Sequence, residues 1–171
     1  MSTITRPVKI AIVDDHNLFR KGLIKLVNLA DKNSNKYSIL FEAENGNELI
    51  QKLDRKSLPD IIIMDIDMPE MDGYESVNWL RKFFPEINIL VISTFESEEH
   101  ILRMMRLKVQ GYLSKNIKVE DMHCALEAII NKGFYYTDKV AGIMADELQK
   151  EAGKEKGNGE EGIQLSENER Q

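Results

Sequence analysis

Two short stretches of the chain place carboxylates directly after apolar runs. Asp60-Ile61-Ile62-Ile63-Met64-Asp65-Ile66-Asp67-Met68-Pro69 sets Asp65 behind four apolar residues, and Lys9-Ile10-Ala11-Ile12-Val13-Asp14-Asp15-His16 repeats the arrangement with a pair of acids. Ile61 to Met64 lack helical periodicity and read as a strand buried on both faces, as a parallel sheet beneath helices requires. Asp65 then stands at the carboxyl end of that strand, the edge where open α/β sheets bind their ligands. If the two strands are neighbours, Asp14, Asp15 and Asp65 converge in one pocket, and their mutual repulsion calls for a bound cation. Oxygen-only donors of this kind suit Mg²⁺. His16 reads as the start of the first helix, because a hard cation prefers oxygen.

The elements that must position these acids follow from the apolar periodicity. Ile10 to Val13 is a strand, and Leu18, Phe19, Leu23, Leu26, Val27 and Ala30 recur at helical spacing from Asn17 onward. Ile39, Phe41 and Ala43 alternate as in an edge strand, with Asn45-Gly46 as the turn out and Glu48 to Leu53 as a short helix. After the Asp65 strand, Tyr74, Val77, Trp79 and Leu80 mark a helix that stops before Pro85. Ile87 to Ile92 is the next strand, Glu98 to Lys108 a helix, Tyr112-Leu113 a short strand and Val119 to Ile130 a helix. Five strands alternating with helices make a doubly wound α/β domain that ends near Gly133.

Composition excludes several function classes. The 171 residues are 42% hydrophobic, enough for one domain with a true core and a short appendage. A net charge of -6 argues against this segment itself coating nucleic acid or an acidic membrane surface. No apolar run approaches bilayer length and Met1 to Pro7 is not a signal peptide, so the expected location is cytoplasmic. A single cysteine, Cys124, rules out an internal disulfide framework, and its surroundings read as the apolar face of a helix, predicting a buried residue.

Asp14-Asp15, the segment Met64-Asp65-Ile66-Asp67-Met68-Pro69-Glu70-Met71-Asp72-Gly73, the Val91-Ile92-Ser93 strand end and Gly111-Tyr112-Leu113-Ser114-Lys115 together resemble the receiver domain of bacterial two-component response regulators. The resemblance implies a flavodoxin-like five-stranded parallel sheet of order 2-1-3-4-5 with helices on both faces. It implies that Asp65 is the phosphoacceptor, attacking the phosphohistidine of a sensor histidine kinase. Asp14 and Asp15 would hold Mg²⁺ together with Asp65 and the backbone carbonyl of Asp67. Lys115 would pair with the phosphoryl group, and Ser93 would turn its hydroxyl toward it. Thr94 is a rival for that role, with Ser93 preferred because it directly follows the apolar strand. Tyr112 matches the aromatic switch residue, whose ring would follow the hydroxyl and fill the space it vacates. Asn116 stands where the family often has proline, which puts a cis peptide there in doubt.

On this reading 1–133 is the receiver, 134–150 an amphipathic helix and 151–164 a flexible linker, its Gly, Glu and Lys offering no apolar face. Leu165-Ser166-Glu167-Asn168-Glu169-Arg170-Gln171 resembles the opening of a LuxR-type helix-turn-helix, so 165–171 would begin a DNA-binding domain that lies beyond this chain. The expected protein is a transcription regulator of the LuxR/NarL/FixJ kind, a phosphorylation-controlled homodimer that meets DNA only through that domain. It is not an enzyme beyond catalysing its own phosphorylation and dephosphorylation. Two alternatives stand beside it. Asp65-Ile66-Asp67 also resembles the Asp-x-Asp of haloacid-dehalogenase-type phosphatases, although those carry the motif on their first core strand. A phosphorylation-independent interaction module is the other.

Overall fold

The computed structural model describes residues 6–32 and 35–168, with side-chain surroundings through residue 156. In chain order it comprises β1 (Val8–Val13), α1 (Asn17–Ala30), β2 (Tyr37–Ala43), α2 (Gly46–Lys52), β3 (Ile61–Met64), α3 (Gly73–Phe83), β4 (Asn88–Ser93), α4 (Glu98–Arg106), β5 (Gly111–Ser114), α5 (Val119–Lys132) and α6 (Asp138–Asn168). Every strand pairing is parallel, in the order β2-β1-β3-β4-β5, as expected. The chain moves outward from β1 in opposite directions along the sheet, so β1 and β3 flank the switch point where a ligand crevice opens.

Burial explains the unbroken apolar runs. Ile10 to Val13 and Ile61 to Met64 are inaccessible along their whole length because helices cover both faces. On one face, Leu23 and Val27 of α1 and Met122, Leu126 and Ile129 of α5 close over Ile10, Ile12, Ile61 and Ile63. Each such side chain contributes about 1.5–3 kcal/mol to the fold.

Local signals set the helix ends. Asn45, expected as part of a turn, is the N-cap of α2, its side-chain oxygen accepting from the Glu48 amide at 2.9 Å. Asp72 caps α3 in the same way through the Glu75 amide. α4 stops two residues short of the expected Lys108, which adopts φ 60°. α5 ends at Gly133, whose φ of 90° is the left-handed C-cap that glycine adopts without strain.

Three expectations need correction. Cys124 is exposed: the buried positions of α5 are Met122, Ala125, Leu126 and Ile129, and Cys124 falls off that stripe. The first unit does not end at Gly133. The Tyr135 amide donates to the Gln110 carbonyl at 2.8 Å and Tyr135 bridges to Gly111 beside β5, so the chain divides into compact units Met1–Thr137 and Asp138–Gln171. The helix expected over 134–150 accordingly starts at Asp138, and it runs on through the 151–164 segment read as a linker. Glu147 with Lys150 and Glu151 with Lys154 stand three apart, the spacing of helix-supporting charge pairs, and a composition rule cannot tell such a solvated helix from a linker. Of the segment 165–171, residues 165–168 belong to α6 and 169–171 lie outside the described residues.

Candidate functional site

The site forms at the carboxyl ends of β1, β3, β4 and β5. Val13 pairs with Met64 in register, so the residues that follow, Asp14 and Asp65, leave the sheet side by side. The Asp14 amide donates to the Ala43 carbonyl at 3.0 Å and the Asp65 amide to the Val13 carbonyl at 2.9 Å, which extends the ladder to both acids. On the other side, the Lys115 amide donates to the Ser93 carbonyl at 3.0 Å and brings the lysine to the same edge.

Lys115 is the centre of the arrangement. Its Nζ lies 3.0 Å from Asp65 Oδ2 and 3.1 Å from Asp14 Oδ2, between two carboxylates that are 5% and 1% exposed. It also sits over the Phe19 ring, 4.5 Å from the centroid. The second oxygen of Asp65 accepts from the Ile66 amide at 2.8 Å, and that of Asp14 from the His16 amide at 2.8 Å. Burial and the neighbouring Asp14 charge push the Asp65 carboxyl up to about 6, with Lys115 working against them. Burial opposes the Lys115 ammonium, but Asp65 and Asp14 outweigh it and hold the group above its ordinary value.

Asp65 is fixed from below by the α3 start. A Cβ on Gly73 would stand 2.4 Å from the Asp65 carbonyl oxygen and 2.7 Å from the Ile66 Cα, so only glycine permits this approach, and its amide donates to the Ile66 carbonyl at 2.7 Å.

Of the four expected cation donors, Asp14 and Asp15 come together, with His16 as the third member of a group whose ligand atoms lie within 4.8 Å of one another. Asp15 Oδ1 is buried and, among the described residues, has no hydrogen-bond partner. An orphaned carboxylate oxygen facing a second carboxylate fits a hard cation. Asp65 is not in that group; the Lys115 ammonium pairs with both it and Asp14. The Asp67 side chain is exposed, and the donor expected of this residue is its backbone carbonyl.

Ser93 is buried at the end of β4 whereas Thr94 is exposed, which favours Ser93 as the inward hydroxyl. Its Oγ accepts from the Phe95 amide at 3.0 Å. Tyr112 is 3% exposed and its hydroxyl donates to the Phe95 carbonyl. The ring therefore lies inside in this conformation, next to the buried Ser93 whose hydroxyl it is expected to follow. Burial raises its phenol, against the influence of the Ser93 hydroxyl. No described peptide bond is cis, Lys115-Asn116 included.

Sequence reasoning missed Arg20. Its guanidinium donates to the Asp14 carbonyl at 2.6 Å, to Glu42 Oε1 at 2.8 Å and to Asn17 Oδ1 at 2.9 Å, and so holds the acid-bearing turn in place. The signal was available: a basic residue on the first turn of the helix leaving Asp14-Asp15.

A parallel 2-1-3-4-5 sheet with a lysine-bridged pair of acids at its carboxyl edge defines a receiver-like α/β protein. Residues 10–127 match the response regulator receiver domain family, and the chain belongs to that family. It is 26% identical over 143 residues to the transcriptional regulatory protein DegU of Brevibacillus brevis, covering 84% of this chain and 58% of that protein. It is 30% identical over 146 residues to the nitrate/nitrite response regulator NarL of Escherichia coli K12, covering 84% of this chain and 64% of the relative. The chain thus spans less than two thirds of these relatives. A LuxR-family two-component response regulator from Aurantimonas sp. SI85-9A1 superposes with a TM-score of 0.70 at 25% identity, over 82% of this chain and 97% of that one. The phosphatase alternative gives way to this family, Asp65 lying after the third strand rather than the first.

Proposed function

We propose that this chain is the phosphoacceptor part of a transcription regulator of the LuxR/NarL/FixJ kind, taking a phosphoryl group on Asp65 from a sensor histidine kinase. The observation that carries this reading is the Lys115 ammonium poised 3.0 Å from Asp65 at the sheet's carboxyl edge. A carboxylate oxygen of Asp65 attacks phosphorus, the bond to the kinase imidazole breaks, and the leaving imidazole keeps the electron pair. Lys115, already paired with Asp65, neutralises the incoming charge. Mg²⁺ held by Asp14, Asp15, Asp65 and the Asp67 carbonyl would supply the remaining charge neutralisation. Asp15 Oδ1 supports that assignment: among the described residues this buried oxygen accepts no hydrogen bond, the His16 Nδ1 standing 3.6 Å away. Ser93 exchanges the Phe95 amide for the phosphoryl oxygens, while Tyr112 stays inside.

The DegU relative is named a transcriptional regulatory protein and the NarL relative a response regulator, and the change at Ser93 is the signal this chain would pass on, through altered homodimerisation, to a DNA-binding segment outside it. Among the described residues no helix is long and apolar enough to cross a membrane. Incubation with a histidine kinase carrying radiolabelled phosphohistidine and Mg²⁺ tests the reading. Label should pass to the wild type and not to Asp65→Asn or to the wild type in excess chelator. Full labelling of Asp65→Asn refutes it.

A further inference from the structure

Phe95 is bound at three points, and each leads to a different part of the site. Its amide donates to Ser93 Oγ at 3.0 Å and its carbonyl accepts from the Tyr112 hydroxyl. Its ring stacks on His100 of α4, with centroids 4.6 Å apart and planes inclined by 21°. His100 Nδ1 shares a hydrogen bond with the Tyr74 hydroxyl of α3, and the two rings are near parallel at 19°. The Arg103 guanidinium lies over the Tyr74 ring, 3.7 Å from its centroid. Tyr74 immediately follows Gly73, the residue pressed against the Asp65 backbone. The path from Ser93 through Phe95, His100 and Tyr74 therefore returns to the phosphoacceptor from the opposite side.

We infer that Phe95 is a positioning residue for the Ser93 hydroxyl, and that the Phe95, His100 and Tyr74 rings carry a displacement of that hydroxyl to the cleft between α3 and α4. The inference rests on the phosphoacceptor reading for its trigger. When Ser93 Oγ leaves the Phe95 amide, that amide loses its acceptor while the carbonyl stays tied to Tyr112. The Thr94–Phe95 peptide, which carries that amide, then turns toward a new acceptor while the next peptide unit stays anchored through the Phe95 carbonyl, so the Phe95 ring between them turns against His100. The shared hydrogen bond with Tyr74 makes α3 feel the shift, because a bond between two ring-borne groups has narrow geometry. The receiving surface is the cleft lined by Tyr74, Glu75, Asn78, Arg103, Arg106 and Leu107. Linkage requires the reverse effect as well: a change at Tyr74 or His100 alters where Ser93 rests.

The chain contains three histidines, His16, His100 and His123, so ¹⁵N-histidine NMR of the whole protein is readable, and His100→Phe assigns the signal. The first arm uses no phosphodonor. Ser93→Ala removes the acceptor of the Phe95 amide, and the His100 ring signals should shift while those of His123, bonded to the Ala30 carbonyl at 3.0 Å, stay put. An unmoved His100 signal overturns the relay. The second arm uses uniformly ¹⁵N-labelled protein, adds acetyl phosphate and Mg²⁺, and follows intact mass alongside. Tyr74→Phe should gain the phosphoryl mass as the wild type does yet lose the response of the α3 amides, and an undiminished α3 response overturns the relay. Phe95→Leu keeps both backbone bonds and should abolish the His100 response in both arms; a persisting response overturns it. A Ser93→Ala shift without any phosphoryl gain in the wild type supports the relay and refutes the phosphoacceptor reading alone.

Discussion

Asp65→Asn should make the ion-free protein more stable. The carboxyl is pushed from its ordinary 3.8 up to about 6 by burial and by Asp14, even with Lys115 beside it. At roughly 1.4 kcal/mol per pH unit, ionised Asp65 costs the fold about 3 kcal/mol at neutral pH. The sign follows from proton binding: between about pH 4 and 6 the folded state holds a proton that the unfolded state has lost, so stability falls as pH rises through that window. The amide keeps the shape, carries no charge and can still accept from the Ile66 amide, but gives up the ionic part of the Lys115 contact. A net gain of about 2 kcal/mol remains, which for a domain of this size raises Tm by about 6–10 °C. Thermal unfolding by circular dichroism in excess chelator measures it at about pH 7.5 and again near pH 4, where the two proteins should converge. A variant that melts at or below the wild type at neutral pH, or a gap unchanged by acid, refutes the reasoning.

Mg²⁺ should raise the Tm of the wild type more than that of Asp65→Asn or Asp15→Ala, since a ligand stabilises only the form that binds it; equal shifts in all three would contradict the donor assignment. Lys115→Met should destabilise by about 3 kcal/mol at neutral pH, because two buried carboxylates lose their shared cation. Gly73→Ala should cost about 1–3 kcal/mol and slow phosphorylation, since its Cβ would displace the Asp65 carbonyl; unfolding and labelling rates check both. Cys124 should react with maleimide in the folded protein at nearly the rate of the unfolded chain.

The strands and the three acids were legible because buried parallel strands write themselves as apolar runs, and because a polar residue at such a run's end stands at the ligand edge; the strand order came from the family resemblance. Asp14, Asp15 and Asp65 were reached from those run ends, whereas Ser93 and Lys115 were reached only through the resemblance to receiver domains. What periodicity could not supply was side-chain reach. Nothing in the spacing says that the Lys115 ammonium bridges Asp14 and Asp65, or that Arg20 folds back on the Asp14 carbonyl. Cys124 failed for a simpler reason, a shift of one position around a helix. In 151–164 the opposite error arose: absence of an apolar face removes the evidence for packing, not for a helix.

The central claim is that Asp65 is the residue that takes the phosphoryl group. Wild-type protein treated with acetyl phosphate and Mg²⁺, digested rapidly at low temperature and mapped by tandem mass spectrometry, tests it at residue level. The account predicts a single acyl phosphate on the peptide spanning Ile61 to Gly73, localised to Asp65. A phosphoryl group on Asp14, Asp15 or His16, or none on Asp65 under conditions that modify a known receiver, would contradict it.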